Sequence, residues 1–113
     1  MTLKQVSAEI AEAESGPPLN WMLGLARQVE RNALRAHLGP PLHVETDGTR
    51  TFGGEEDWWL YEIGAGEMAA ICLRVPYGDA VLYSSAESMQ GASELAEALS
   101  PWPVEIYDKP YAR

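Results

Sequence analysis

Hydrophobic positions in the first forty residues recur at the spacing of α-helices. Apolar side chains three or four positions apart predict a helix over residues 2–14 and a second helix from Leu19 or Asn20 to Leu38. The apolar positions of the second helix are Leu19, Met22, Leu23, Ala26, Val29, Ala33, Leu34 and Leu38. Segments that combine glycine with two prolines end both helices, because proline blocks their continuation.

From residue 42 onward the period changes to that of β-strands. Residues 42–45 and 49–52 flank the turn Asp47-Gly48, which predicts a hairpin. Residues 57–63, 67–75 and 80–83 follow, with short glycine-containing turns between them. Short turns between consecutive strands are typical of an antiparallel meander.

The last third of the chain predicts one more helix and one more strand. Ser84 and Glu87 match a capping box, and apolar positions from Met89 to Leu99 continue as a helical stripe. Residues 104–107 form a short strand, and the prolines beside it favour a sheet edge. We therefore predict an α+β fold with two N-terminal helices, a mainly antiparallel sheet of four to five strands, a third helix and a C-terminal edge strand. The helices cover one sheet face and leave the other partly open.

The length of the chain and its net charge limit the number of domains and the class of binding partner. The 113 residues fit a single domain, residues 1–113, and the net charge is −9. Residues 41–113 hold thirteen of the seventeen acids and four of the eight bases, so they carry the whole net charge. Such a field repels nucleic acid and anionic membrane surfaces, and it attracts a basic protein.

The sequence has few residues of the types that bind metal ions or act as nucleophiles. Cys72 is the single cysteine, so no internal disulfide forms, and the absence of a signal peptide or a membrane-spanning apolar run predicts a cytosolic protein. His37, His43 and Cys72 lack the spacing of metal ligands, and Cys72 lies in an apolar run typical of a core position. We predict no metal, no cofactor and no catalytic residue.

The strongest candidate site joins acids to aromatic side chains. Glu55, Glu56 and Asp57 directly precede Trp58 and Trp59. Alternation along a strand sends the two tryptophans to opposite sheet faces, so a partly open sheet exposes at least one of them. Tryptophan beside carboxylates is typical of a binding hot spot, although the acids alone also suit a solvated loop, acid/base chemistry or a divalent cation. The predicted partner-binding residues are Asp47, Glu55, Glu56, Asp57, Trp58, Trp59 and Asp79.

In outline, the chain resembles the small acidic immunity proteins of bacterial toxin–immunity systems. The likeness rests on the helix that ends at Leu38-Gly39-Pro40-Pro41, the Asp57-Trp58-Trp59 strand, the meander and the acidic surface. It implies a bacterial protein that binds a toxin domain and occludes its basic cleft. Two alternatives remain open: a chaperone for a secreted bacterial effector, which would be dimeric, and a small ligand-binding domain or enzyme. The sequence leaves the oligomeric state open.

Overall fold

The computed structural model describes residues 19–46, 54–63 and 67–112, together with the backbone of Lys4–Gln5. Seven strands and two helices lie in these residues. The strands are β1 (Lys4–Gln5), β2 (Trp21–Ala26), β3 (His43–Glu45), β4 (Glu56–Glu62), β5 (Met68–Arg74), β6 (Asp79–Ser84) and β7 (Val104–Ala112), and the helices are α1 (Arg31–Leu38) and α2 (Ala92–Ala98). No helix among the described residues is long and apolar enough to cross a membrane.

All seven strands belong to one antiparallel sheet. Its order is β1-β4-β5-β6-β2-β7, and β3 pairs with β4 beside β1. The predicted meander is confirmed, because β4, β5 and β6 are consecutive neighbours in the sheet. The last strand ends the sheet order as predicted, but it runs to Ala112 instead of residue 107.

Side chains alternate between two apolar clusters on opposite sheet faces. Trp59, Tyr61 and Ile63 belong to the larger cluster, which also contains Leu34 of α1 and Leu95 of α2. Both helices therefore pack on this face, which we call the helix face. Trp58, Cys72 and Tyr83 lie in the smaller cluster on the opposite face, and all three are buried. The expectation of a partly open second face is therefore wrong around Trp58.

The predicted fold class is wrong in its N-terminal half. Lys4–Gln5 pair with Tyr61 and Glu62 as strand β1, and the rest of the helix predicted over 2–14 lies outside the described residues. Trp21–Ala26 form strand β2 between β6 and β7, so only Arg31–Leu38 of the second predicted helix is helical. Seven described strands replace the four or five that were predicted.

The apolar run of β2 fits a strand that is covered on both faces. Leu23 and Ala26 pack in the helix-face cluster, whereas Met22 and Leu25 pack against the opposite one. A register shift between Met22 and Gly24 makes this possible, because it gives Leu23 an extra position in the ladder. A Cβ on Gly24 would lie 2.4 Å from the Glu105 carbonyl oxygen, so the close pairing with β7 requires glycine.

The predicted start of the last helix is wrong, whereas the predicted strand before the Asp47-Gly48 turn is confirmed. Helix α2 begins at Ala92 after Gly91, whose φ is 87°, and not at the predicted capping box. Ser84 ends strand β6 instead, and its hydroxyl accepts a hydrogen bond from the Ala86 amide at 3.1 Å. Strand β3 confirms the prediction at residues 43–45, while the Asp47-Gly48 turn and the return strand over 49–52 lie outside the described residues.

Candidate functional site

Charged side chains concentrate at one end of the sheet, where β4 and β6 begin and β5 ends. We call this region the charged end. It comprises the carboxylates Glu45, Glu55, Glu56, Asp57 and Asp79 and the guanidinium groups of Arg31, Arg35 and Arg74. Four of the seven predicted partner-binding residues (Glu55, Glu56, Asp57 and Asp79) meet here, while Asp47 lies outside the described residues.

Asp57 lies on the helix face and joins α1 to the sheet. Its side chain is fully buried and accepts two hydrogen bonds from each of two arginines. Arg31 donates through Nε at 2.9 Å and Nη2 at 2.8 Å, and Arg35 donates through the same two nitrogens at 2.8 Å each. Arg31 also reaches the exposed Glu55 at 2.8 Å. The Asp57 carboxylate is thus an internal anchor for the helix and is not available to a partner.

Two opposing effects set the acidity of Asp57. Burial alone would raise the pKa of this carboxyl, because it disfavours the charged form. Hydrogen bonds and charge attraction from Arg35 and Arg31 outweigh burial and lower the pKa below its ordinary value. The same contacts raise the pKa of both arginines, so the cluster stays ionised at neutral pH.

Because folding lowers this pKa, Asp57 stabilises the protein above the unfolded-state pKa of about 3.9, and the stabilisation is lost as the pH falls through the lower folded-state value. We expect the difference in unfolding free energy between the wild type and Asp57→Asn to be constant near neutral pH and to shrink below about pH 4. Urea denaturation at a series of pH values measures it.

Glu87→Gln provides the control, since Glu87 is exposed and has no hydrogen bond or ion pair with the described residues. Its difference from the wild type should stay small throughout the same pH series. A gap between wild type and Asp57→Asn that is independent of pH would contradict the proposed ionic role.

The opposite sheet face carries a charged row that crosses four strands. Glu45 pairs in register with Glu56, Glu56 with Arg74, and Arg74 with Asp79. Arg74 donates to both oxygens of Asp79, at 2.7 and 2.6 Å. These bonds raise the pKa of Arg74 and hold its side chain in place. In this row Glu56 and Asp79 flank Arg74, and Glu45 at the end of the row lies 3.5 Å from His43 Nε2.

Both tryptophans that were expected to contact a partner are buried. Trp59 is fully buried, and its Nε1–H donates to the Gly39 carbonyl oxygen at 3.1 Å, which ties the end of α1 to the sheet. Trp58 is 9% exposed and stacks on Tyr83 with ring centroids 5.4 Å apart. Neither ring is placed to reach a partner from the described surface.

The aromatic side chain that does face solvent at the charged end is Tyr77, which is not among the predicted partner-binding residues. It is 57% exposed, the highest value among the large hydrophobic side chains described. The Arg74 guanidinium lies 5.1 Å from the centre of its ring. Tyr77 also borders an open cleft of about 710 Å³, whose other lining residues include Arg27, Glu30, Arg31 and Asp79. Its place in the turn Pro76-Tyr77-Gly78-Asp79 is the sequence signal that favours exposure.

Within the described ranges, no group of three histidine, cysteine, aspartate or glutamate side chains is arranged to hold a metal ion. Arginines occupy the positions next to Asp57 and Asp79 where a cation would bind. The described part of the charged end thus combines more carboxylates than guanidinium groups with the exposed ring of Tyr77.

No protein-family model matches the sequence, and comparisons with curated proteins and with solved structures return no match.

Proposed function

We propose that this chain is an acidic protein-binding module that acts as an immunity-type inhibitor of a basic toxin domain. The charged end is the contact region, and the chain blocks the partner by occluding its cleft. One observation carries the proposal: among the described residues, five carboxylates and only three guanidinium groups meet there, so the acids outnumber the arginines.

Exposure at the charged end also supports a protein partner. Half of the Glu55 side chain reaches solvent, at 47%, and Tyr77 is still more exposed at 57%. Tyrosine is enriched in binding hot spots, and carboxylates around it accelerate the approach of a positive surface. The partner-contacting residues we now favour are Glu45, Glu55 and Tyr77. Asp79 holds Arg74 beside the Tyr77 ring, and Trp58 and Trp59 support the sheet beneath them. We place this function in the cytoplasm, where a reduced Cys72 thiol is normal.

The test begins with capture of partners from the native cells at low salt, followed by purification of the bound protein. We expect Glu45→Gln/Glu55→Gln to slow association with that protein about tenfold at low salt and to flatten its salt dependence. Surface plasmon resonance at several ionic strengths measures both effects. The activity of the purified partner should also fall to background when one equivalent of the wild-type chain is added.

The matched control is Glu87→Gln/Glu97→Gln, which changes the net charge equally in the loop before α2 and in α2 itself. Both of its positions are exposed and lie outside the charged end. Equal slowing by the two double variants would overturn the assignment of the contact region. Capture of an unfolded segment instead of a folded basic domain would replace inhibition with a chaperone role.

A further inference from the structure

The turn between β2 and α1 holds two polar side chains outward on a fixed backbone. Before the turn, Ala26 is paired with Ala80 on one side and Val104 on the other. After it, the buried Val29 donates its amide hydrogen to the Gly78 carbonyl oxygen at 2.8 Å. Between them, Gln28 has a φ of 57°, a left-handed conformation that costs a residue with a side chain about 1 kcal/mol. The turn is therefore fixed at both ends, and it keeps an unfavourable backbone at its exposed position.

Arg27, beside Gln28, differs from the other arginines in the described part of the chain. Arg31 and Arg35 bind Asp57, and Arg74 binds Asp79. Arg27 is exposed and forms no ion pair or hydrogen bond with the described residues. A guanidinium that has no carboxylate partner in the described part of the chain is unexpected where the net charge is −9.

Arg27 also stands where two clefts meet. It lines the cleft of about 710 Å³ that Tyr77 borders, and a second cleft of about 420 Å³ beside Pro103 and Val104. In the larger cleft the other charges are already engaged. Glu30 accepts hydrogen bonds from the first amides of α1, Arg31 binds Asp57, and Asp79 binds Arg74. Arg27 is thus the one charge lining this cleft that has no partner among the described residues.

We infer that Arg27 and Tyr77 form a recognition cleft for a carboxylate side chain, aspartate or glutamate, on an exposed segment of the protein partner. The guanidinium of Arg27 receives the carboxylate in a two-point contact, for which its planar fork is suited. The exposed ring of Tyr77 packs on the apolar residues that flank this acid. The occupant is acidic because the charged group that lines the cleft without a partner among the described residues is a cation.

This inference rests on the proposed function and adds specificity to it. The acidic charged end attracts many basic surfaces at similar rates, so attraction alone discriminates poorly. A partner that lacks the matching acid would leave Arg27 desolvated and unpaired, which penalises the wrong complex. Charge steering and partner choice are thereby assigned to different residues of one surface.

The test is an NMR titration of the full chain with the blocked peptide Leu-Glu-Leu and with its twin Leu-Gln-Leu. We expect saturable shifts for the amides of residues 27–30 and 77–79 with the glutamate peptide, with a dissociation constant on the order of 10 mM. Arg27→Gln should weaken this binding about tenfold or more, which is the loss typical of a charged hydrogen-bonding group. The glutamine peptide should produce much smaller shifts.

Lys109→Gln is the matched control, because it removes one positive charge from an exposed position on β7. Lys109→Gln should bind the glutamate peptide with the same dissociation constant and the same amide shifts as the wild type. Equal binding of the two peptides, equal binding by wild type and Arg27→Gln, or an equal response to acetate alone would each overturn the recognition cleft.

The peptide titration and the partner-binding experiment distinguish failure of the recognition cleft from failure of the proposed function. If the cleft binds the glutamate peptide but the Glu45/Glu55 variant captures its partner normally, the inference on the cleft stands and the proposed function falls. If Glu45→Gln/Glu55→Gln loses the partner but Arg27→Gln does not alter peptide binding, the proposed function stands and the inference on the cleft falls.

Discussion

Replacing Trp59 with alanine is expected to lower the free energy of unfolding by about 4 kcal/mol, enough to unfold much of a marginally stable population. The ring is fully buried in the helix-face cluster between the sheet and both helices. Its removal leaves a cavity and also takes away the hydrogen bond to Gly39 that holds the end of α1. Urea denaturation followed by far-ultraviolet circular dichroism measures the loss.

Two further variants separate packing from the hydrogen bond. Trp59→Phe keeps an aromatic ring in the core but loses the indole N–H and leaves a smaller cavity, so it should cost about 1–2 kcal/mol. Trp21→Ala removes a tryptophan that is only partly buried at the start of β2, and a loss near the typical value of about 1 kcal/mol is expected. A Trp59→Ala protein as stable as Trp21→Ala would refute the central packing role.

Replacing Asp57 with alanine is expected to cost about 3 kcal/mol, close to the lower end for breaking a buried ion pair, because Arg31 and Arg35 keep partial contact with water. The substitution leaves two guanidinium groups facing each other without the carboxylate that separates their charges. Their mutual repulsion should then loosen α1 from the sheet. Urea denaturation at neutral pH measures the loss, and hydrogen exchange should show it first in α1.

The explanation is tested by removing the arginines as well. Asp57→Leu combined with Arg31→Met and Arg35→Met should recover most of the stability, since an apolar cluster of similar volume no longer carries unpaired charge. Asp79→Asn breaks the pair with Arg74, which is closer to solvent, and should cost about 1 kcal/mol. If the triple variant is less stable than Asp57→Ala, repulsion between unpaired arginines is not the cause.

Part of the candidate site could be predicted from the sequence. The acids at positions 55–57 and 79 were selected from charge and turn context, and the structure brings them to one end of the sheet. Their arginine partners were not predicted, although Arg31 and Arg35 are four residues apart and form a short row on one helix face. A row says which residues share a helix face, but not which carboxylate they meet. That pairing depends on how α1 crosses β4.

The order of β4, β5 and β6 follows from the sequence of this segment. Alternation and turn residues suffice for β4, β5 and β6, because consecutive antiparallel strands are joined by short turns and need no distant information. The same alternation correctly separated Trp58 from Trp59 onto opposite faces.

Contacts between distant parts of the chain select the strand conformation of Trp21–Ala26 and bury Trp58 and Trp59. The six residues of β2 read equally well as a helical stripe or as a strand covered on both faces, since either arrangement buries an almost continuous apolar run. Pairing with β6 and β7, which are distant in sequence, selects the strand. The acids changed role for the same reason: a carboxylate becomes an internal anchor or a contact surface according to which arginines the fold brings within reach, and that is a property of contacts across the whole chain.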